Sequence, residues 1–300
     1  MMMQKSLRLL MIAALALGNS GCTRLYFTTL NRGGPEVALQ SPSQPPEGVP
    51  GIDVYRAQQP HAPVVVFFYG GRWQDGKRAD YAYVGRWLAA AGVTTVIPDY
   101  RLYPDVRYPV FVEDAAAAVA WVFEHADALD IDPRRVFVSG HSAGAHIAAL
   151  LATDAKYLAR HQLRPRDLAG VIGLSGPYDF LPLTDDDLVD IFSADPARQA
   201  DSQPVNHVEG DEPPFLLLHG DGDLLVWPRN SIHLKARLDA VGVPAELKIY
   251  RGIGHIRMLA SLRYPSLGDA RRDLVEFVRA TPRSAFAATP GAAIGRPAAH

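Results

Sequence analysis

A chain of 300 residues with 48% hydrophobic content is long enough to bury one large core, and α/β architectures of about 250 residues routinely form a single domain. Its net charge of −2 provides no basic field for a polyanion, so nucleic acid is not expected as a partner. The ten histidines form no H-E-x-x-H pattern and there is no cysteine pair for zinc, so no metal and no other cofactor is expected.

At the N-terminus, Lys5 and Arg8 precede an apolar stretch, Leu9 to Gly18. That stretch is too short to span a bilayer and fits the apolar region of a signal peptide. It runs into Asn19-Ser20-Gly21-Cys22, and Cys22 is the single cysteine of the chain. Small residues before a cysteine resemble a bacterial lipoprotein processing site, although Asn19 stands where leucine is usual. Residues 1–22 are therefore expected to be the signal peptide of an exported protein, with Cys22 lipidated and the chain held at a membrane of the cell envelope. Ordinary signal-peptidase cleavage, which would leave a soluble periplasmic or secreted protein, is the alternative. Residues 23–50, rich in Pro, Ser, Gln and Gly from Pro35 onward, are expected to be a linker.

The folded domain is expected over residues 51–280. Val64 to Tyr69 is a continuous β-branched and aromatic run between Pro63 and Gly70, hence a buried strand. A helix over Tyr81 to Ala91 follows, then a strand over Val93 to Ile97 and an alanine-rich helix over Asp114 to Ala126. The next strand, Val136 to Val138, leads into Gly140-His141-Ser142-Ala143-Gly144 and a helix over Ala145 to Thr153. Further strands are expected at Ala169 to Leu174, Phe215 to Leu218 and Ala245 to Tyr250. Alternation of this kind implies a mainly parallel sheet covered on both faces. Phe180 to Pro214 breaks it and is expected to be a small cap. Its acidic run, Thr184-Asp185-Asp186-Asp187, fits a solvated helix start better than a metal site. Residues 281–300 have little to bury, and a disordered tail is expected there.

The chemistry centres on G-x-S-x-G. A serine hydroxyl gains reactivity when a tight strand-to-helix turn exposes it beside a base, and flanking glycines relieve the crowding of that turn. Ser142 meets this requirement. Two later candidates also sit just past strands, where open α/β sheets place ligands: Asp221 and Asp223 in His219-Gly220-Asp221-Gly222-Asp223, and His255 in Gly252-Ile253-Gly254-His255. The chain order Ser, Asp, His is the α/β-hydrolase order.

A glycine pair after the first long strand, in Tyr69-Gly70-Gly71-Arg72-Trp73, completes the pattern. With Asp99-Tyr100-Arg101-Leu102-Tyr103-Pro104, the Ser142 motif, Leu174-Ser175-Gly176-Pro177-Tyr178-Asp179 and Gly254-His255, the chain resembles the α/β-hydrolase superfamily from about Val64 to Phe277. Within it, the chain is most similar to small carboxylesterases and arylformamidases with an H-G-G-x-W loop, including hormone-sensitive-lipase-like and prenylcysteine-methylesterase-like enzymes. Tyr69 departs from that pattern, which has histidine there. The resemblance implies Asp223 as the acid, three residues past the His-Gly glycine, and leaves Asp221 a turn role. It also implies oxyanion donors on the Gly71 and Arg72 amides beside that of Ala143. Tyr69, Gly70 and Trp73 are expected as supports.

In the expected reaction Ser142 attacks a carbonyl, His255 takes its proton and Asp223 orients the imidazole. His219 and His146 are expected to be packed, hydrogen-bonded supports. The leading expectation is a carboxylesterase acting on small or short-acyl esters, since no large lid is evident. An arylformamidase or small amidase or peptidase with the same triad is one alternative, and a catalytically silent binding lipoprotein is another.

Overall fold

Val64 to Phe68 are buried at every position, with no polar residue to face water. A strand of that kind must be covered on both faces and belongs in the middle of a sheet. The computed structural model, which describes residues 20–286, puts it there. Its strands are β1 (Ala38–Gln40), β2 (Ile52–Arg56), β3 (Ala62–Phe68), β4 (Thr94–Pro98), β5 (Ile131–His141), β6 (Gly170–Leu174), β7 (Phe215–Gly220) and β8 (Ala245–Tyr250). They form one sheet in the order β1-β2-β4-β3-β5-β6-β7-β8. From β4 to β8 all pairs are parallel, whereas β2 is antiparallel to both of its neighbours. The chain moves outward from β3 to β4 and then crosses back to β5. The C-terminal ends of β3 and β5 therefore flank the point where the strand order reverses, the place such sheets offer to ligands.

The helices are α1 (Ser20–Asn31), α2 (Ala82–Ala90), α3 (Val110–Glu124), α4 (Ala126–Leu129), α5 (Ala143–Thr153), α6 (Ala155–Ala159), α7 (Asp186–Phe192), α8 (Pro196–Asp201), α9 (Arg229–Ala240), α10 (His255–Ser261) and α11 (Ala270–Ala280). All eleven residues of α5 are buried, which explains its alanines: small side chains let it lie close against the sheet and α3.

Two expectations need correction. Residues 23–50 are not a free linker. Helix α1 packs Phe27 and Leu30 into the core, and β1 pairs with β2. The Pro/Gly-rich composition describes 35–50, whereas Thr23, Tyr26, Phe27 and Leu30 recur at helical spacing and were available to bury. The tail also begins later than residue 281. Ser284 donates its amide to the Arg134 carbonyl at 2.8 Å, Arg283 pairs with Asp132 at 2.6 Å, and the Phe286 ring lies 4.7 Å from that of Phe123. The rest of the tail, 287–300, and residues 1–19 of the expected signal peptide lie outside the described residues.

Candidate active site

Ser142 stands between β5 and α5 with φ 55° and ψ −123°, a conformation that costs a non-glycine residue about 1–3 kcal/mol. Packing around the turn holds it there. The Ser142 amide donates to Leu174 O at 2.9 Å, and Ser142 O accepts from the amides of Ala145 and His146 at 2.9 and 3.1 Å. The flanking glycines are needed for contact rather than for flexibility: a Cβ on Gly144 would sit 2.0 Å from Phe68 O, and one on Gly140 2.3 Å from the Gly144 carbonyl carbon. The Ser142 hydroxyl makes no cap hydrogen bond to its own helix.

The two aspartates of the β7 turn are separated by their partners. Asp223 is buried, and its Oδ2 accepts from His255 Nδ1 at 2.7 Å while its Oδ1 accepts from the amides of Leu225 and Val226 at 3.0 and 2.9 Å. Burial alone would raise its pKa. The hydrogen bonds from His255 and from the Val226 amide, with the nearby His219 ring, outweigh that effect and hold the carboxyl well below the usual carboxylate range. Asp221 instead accepts the Gly252 amide at 2.6 Å on the exposed side of the turn. Gly220 lets the two loops meet, since a Cβ there would lie 2.0 Å from Ile253 O, two residues before His255.

Three other histidines brace the site. His219 Nε2 lies 3.4 Å from Asp223 Oδ2 but only 2.8 Å from the Val226 carbonyl, so its N–H belongs to the carbonyl. Its Nδ1 then accepts from Ser231 Oγ at 2.7 Å. His146, on α5, donates Nε2–H to the Ser202 carbonyl at 2.7 Å. His141, the variable residue of the serine motif, escaped the sequence reading. Its ring lies 4.5 Å from that of His255, and its Nε2 donates to the His255 carbonyl at 3.2 Å. Burial, reinforced by the positive charge His255 would carry, pushes the His141 pKa down to about 3, so it stays neutral. His255 thus packs on the residue that directly precedes Ser142. No hydrogen bond joins Ser142 Oγ to His255 Nε2 in this structure, a looseness common before substrate binds.

The glycine loop after β3 lies against the serine: a Cβ on Gly70 would be 3.0 Å from Ser142 Cβ. Gly71, Arg72 and Trp73 all have positive φ, at 137°, 53° and 61°, and Gly71 O accepts from the amides of Gln74 and Asp75 at 3.1 and 2.9 Å. Among the described residues the amides of Gly71 and Arg72 donate to no backbone carbonyl, nor does that of Ala143, the first residue of α5. These are the three donors expected from sequence. The Arg72 guanidinium turns to the cap and meets Asp187 at 2.7 Å and Asp185 at 3.1 Å. The acidic run is therefore a cap helix start that also grips this loop.

Trp73 packs on Phe192 and His146, with ring centroids 4.7 and 5.0 Å apart, and stacks on Phe180 at 5.9 Å. Tyr69 is buried beneath the loop, its ring stacked on Tyr100 at 4.6 Å and Tyr81 at 5.6 Å, and Tyr100 Oη donates to Tyr69 O at 2.8 Å. Burial, with Asp99 beside it, pushes the Tyr69 phenol far above its ordinary range. Asp99 and Asp179 have structural partners, Arg78 and His233.

Residues 52–238 match the BD-FAE family. The esterase LipC of Mycobacterium tuberculosis is 31% identical over 211 residues, 63% of this chain and 52% of its own length. The isoprenylcysteine alpha-carbonyl methylesterase ICME of Arabidopsis thaliana is 31% identical over 215 residues, 64% of this chain and 50% of its own. The chain thus spans about half the length of these curated relatives. Among solved structures, esterase B from Lactobacillus rhamnosis superposes with a TM-score of 0.76 at 20% identity, covering 90% of this chain and 96% of that one. The hyperthermophilic esterase from Pyrobaculum calidifontis gives 0.71 at 23%, covering 86% and 89%. With the strand order and the matched stretch together, the fold is the α/β-hydrolase fold and the chain belongs to the BD-FAE family.

Proposed function

We propose that this protein is a serine carboxylesterase for small or short-acyl esters. The observation that carries the reading is the buried Asp223–His255 pair at 2.7 Å, past the ends of β7 and β8, with its imidazole packed 4.5 Å from the ring of His141, the residue before Ser142. In the first half-reaction Ser142 Oγ bonds to the ester carbonyl carbon as His255 Nε2 takes the hydroxyl proton. Asp223 keeps Nδ1 protonated and stabilises the imidazolium. Negative charge collects on the carbonyl oxygen, facing the amides of Gly71, Arg72 and Ala143, each typically worth about 3 kcal/mol in such a site. The imidazolium then protonates the departing alcohol. Water repeats the cycle on the acyl-serine, releasing the acid and restoring Ser142.

Short acyl groups are favoured by the contents of the cap. Phe180 and Phe192 pack their rings on Trp73, beside the glycine loop, so that side of the loop is occupied by protein side chains rather than open to a long acyl chain in our reading. Fluorophosphonate labelling followed by a panel of acyl esters and formyl amides tests the reading. Ser142 should be the residue labelled, and Ser142→Ala should lose on the order of 10⁶ in kcat while keeping its fold. Persistent esterase activity in folded Ser142→Ala would exclude the mechanism. Faster cleavage of the formyl amides would favour the amidase alternative.

The cell-envelope anchor is proposed on the apolar stretch that ends near Cys22. Cys22→Ser should move the protein from the membrane to the soluble fraction of its host. A wild type that is already soluble would point to ordinary cleavage.

A further inference from the structure

Helix α1 lies before the stretch shared with the family, yet its buried stripe reaches both sides of the active site. The Tyr26 hydroxyl donates to the carbonyl of Ile256 at 3.0 Å, and Ile256 directly follows His255 in the first turn of α10. A second phenol grips the same helix: Tyr83 Oη donates to Leu259 O at 3.3 Å. Tyr83 is itself held by α1, because its amide donates to Asn31 Oδ1 at 2.8 Å. Asn31 also donates through Nδ2 to Asp80 O at 2.8 Å and accepts from Arg86 at its carbonyl at 2.6 Å. On the other side, the Phe27 ring lies 5.0 Å from Tyr81, which stacks on Tyr69, the residue before the glycine loop.

Helix α10 needs such help. It is seven residues long, its N-cap is Gly254 with no side-chain cap, and Gly252 lies two residues earlier. Short helices are marginal without tertiary contacts. The His141 hydrogen bond holds one side of His255, and the α1 phenol holds the next residue.

We propose that α1 is an N-terminal strap that positions the His255 helix and the oxyanion loop for catalysis, with Tyr26 as its positioning residue. The inference rests on reading Ser142, Asp223 and His255 as the triad. It predicts that Tyr26→Phe, which removes one oxygen and keeps the ring, lowers kcat about three- to tenfold with KM unchanged. The rate of Ser142 phosphonylation should fall by the same factor. The low-field NMR signal of the His255 Nδ1 proton should broaden, and α10 amides should exchange faster. Leu25→Ser, on the exposed face of the same helix, should match the wild type in all four measurements.

Wild-type kcat and phosphonylation in a folded Tyr26→Phe variant would overturn the strap, as would equal losses in Leu25→Ser, which would reveal a general stability effect. If the wild type neither hydrolyses esters nor reacts with the phosphonate, the triad reading fails by itself. The NMR signal and α10 exchange then decide the strap: unchanged values in Tyr26→Phe refute it.

Discussion

The strand-end loops and the cap both bear on Ser142, and they are held by different physics. In the loops backbone meets backbone. A Cβ on Gly140, Gly144 or Gly220 would come within 2.0–2.3 Å of another main-chain atom, and the only relief is to move a strand. In the cap, side chains reach across. Arg72 meets Asp187, Lys156 bridges Asp154 and Asp201 at 2.7 and 2.9 Å, and His146 meets Ser202 O. The first arrangement admits one geometry; the second can loosen one contact at a time. Substitutions at strand ends should therefore act on chemistry in large steps, and those in the cap should act in small ones.

After Ser142 itself, the largest step is expected at the β7 end. Asp223→Asn leaves the shape of the turn but presents an amide to His255 Nδ1, which favours the wrong tautomer. Loss of about 10⁴ in kcat is expected from the well-studied triad case. Asp221→Asn should keep activity within a few-fold, because that side chain serves only the Gly252 amide. Steady-state kinetics on both variants separate the roles, and equal losses would mean that the acid has been misassigned.

That same contrast explains what could be read from sequence. The glycine motifs at Gly70, Gly140, Gly144 and Gly220 are legible because one residue type satisfies each close approach. Strand ends and chain order point to His255 and to the Asp221/Asp223 pair, whereas the choice of Asp223 and of the Gly71 and Arg72 amides comes from the family resemblance. His141 was not legible, since its ring matters only once β5 and α10 are adjacent, and they are more than a hundred residues apart. Helix α1 was masked by its proline-rich neighbour, and its partners on α2 and α10 are equally remote. Tyr69 read as a departure from a histidine brace. In three dimensions it is a stacked floor tile, whose polar tip points to the Asp99 side while the loop amides stay free.

Intermediate effects are expected where the cap meets the serine helix. His146 sits buried against Trp73, Phe180 and Phe192, and burial lowers its pKa from 6.5 to about 4 despite the hydrogen bond to Ser202 O. With the folded value depressed, the unfolded chain binds the extra proton first as the pH falls. The stability His146 contributes is therefore full above about pH 6.5 and is lost on the way down to about pH 4, at up to about 1.4 kcal/mol per pH unit. His146→Gln keeps an N–H for Ser202 O without the titration. Urea unfolding at pH 7 and pH 5 should show the wild type losing about 2 kcal/mol more than this variant. Equal losses would assign the acid sensitivity elsewhere, with the buried His141 first in line.

The smallest effect tests the link between the two regions. Arg72 belongs to the loop by its amide and to the cap by its guanidinium, which is 45% exposed and faces an Asp187 that is 34% exposed. Solvent screens such a pair, and exposed ion pairs typically contribute about 0.2–1 kcal/mol. Arg72→Gln retains the amide N–H proposed to meet the oxyanion, so kcat/KM should fall by less than about fivefold. Asp187→Asn should do the same. If the pair acts only by fastening the cap to the loop, the double variant should be no worse than the poorer single one, giving a coupling energy within that range. A hundredfold loss in Arg72→Gln alone, with Asp187→Asn near wild type, would place the guanidinium on the reacting ester itself. The cap would then be a screen around that charge, and its aspartates would hold Arg72 back from substrate until one arrives.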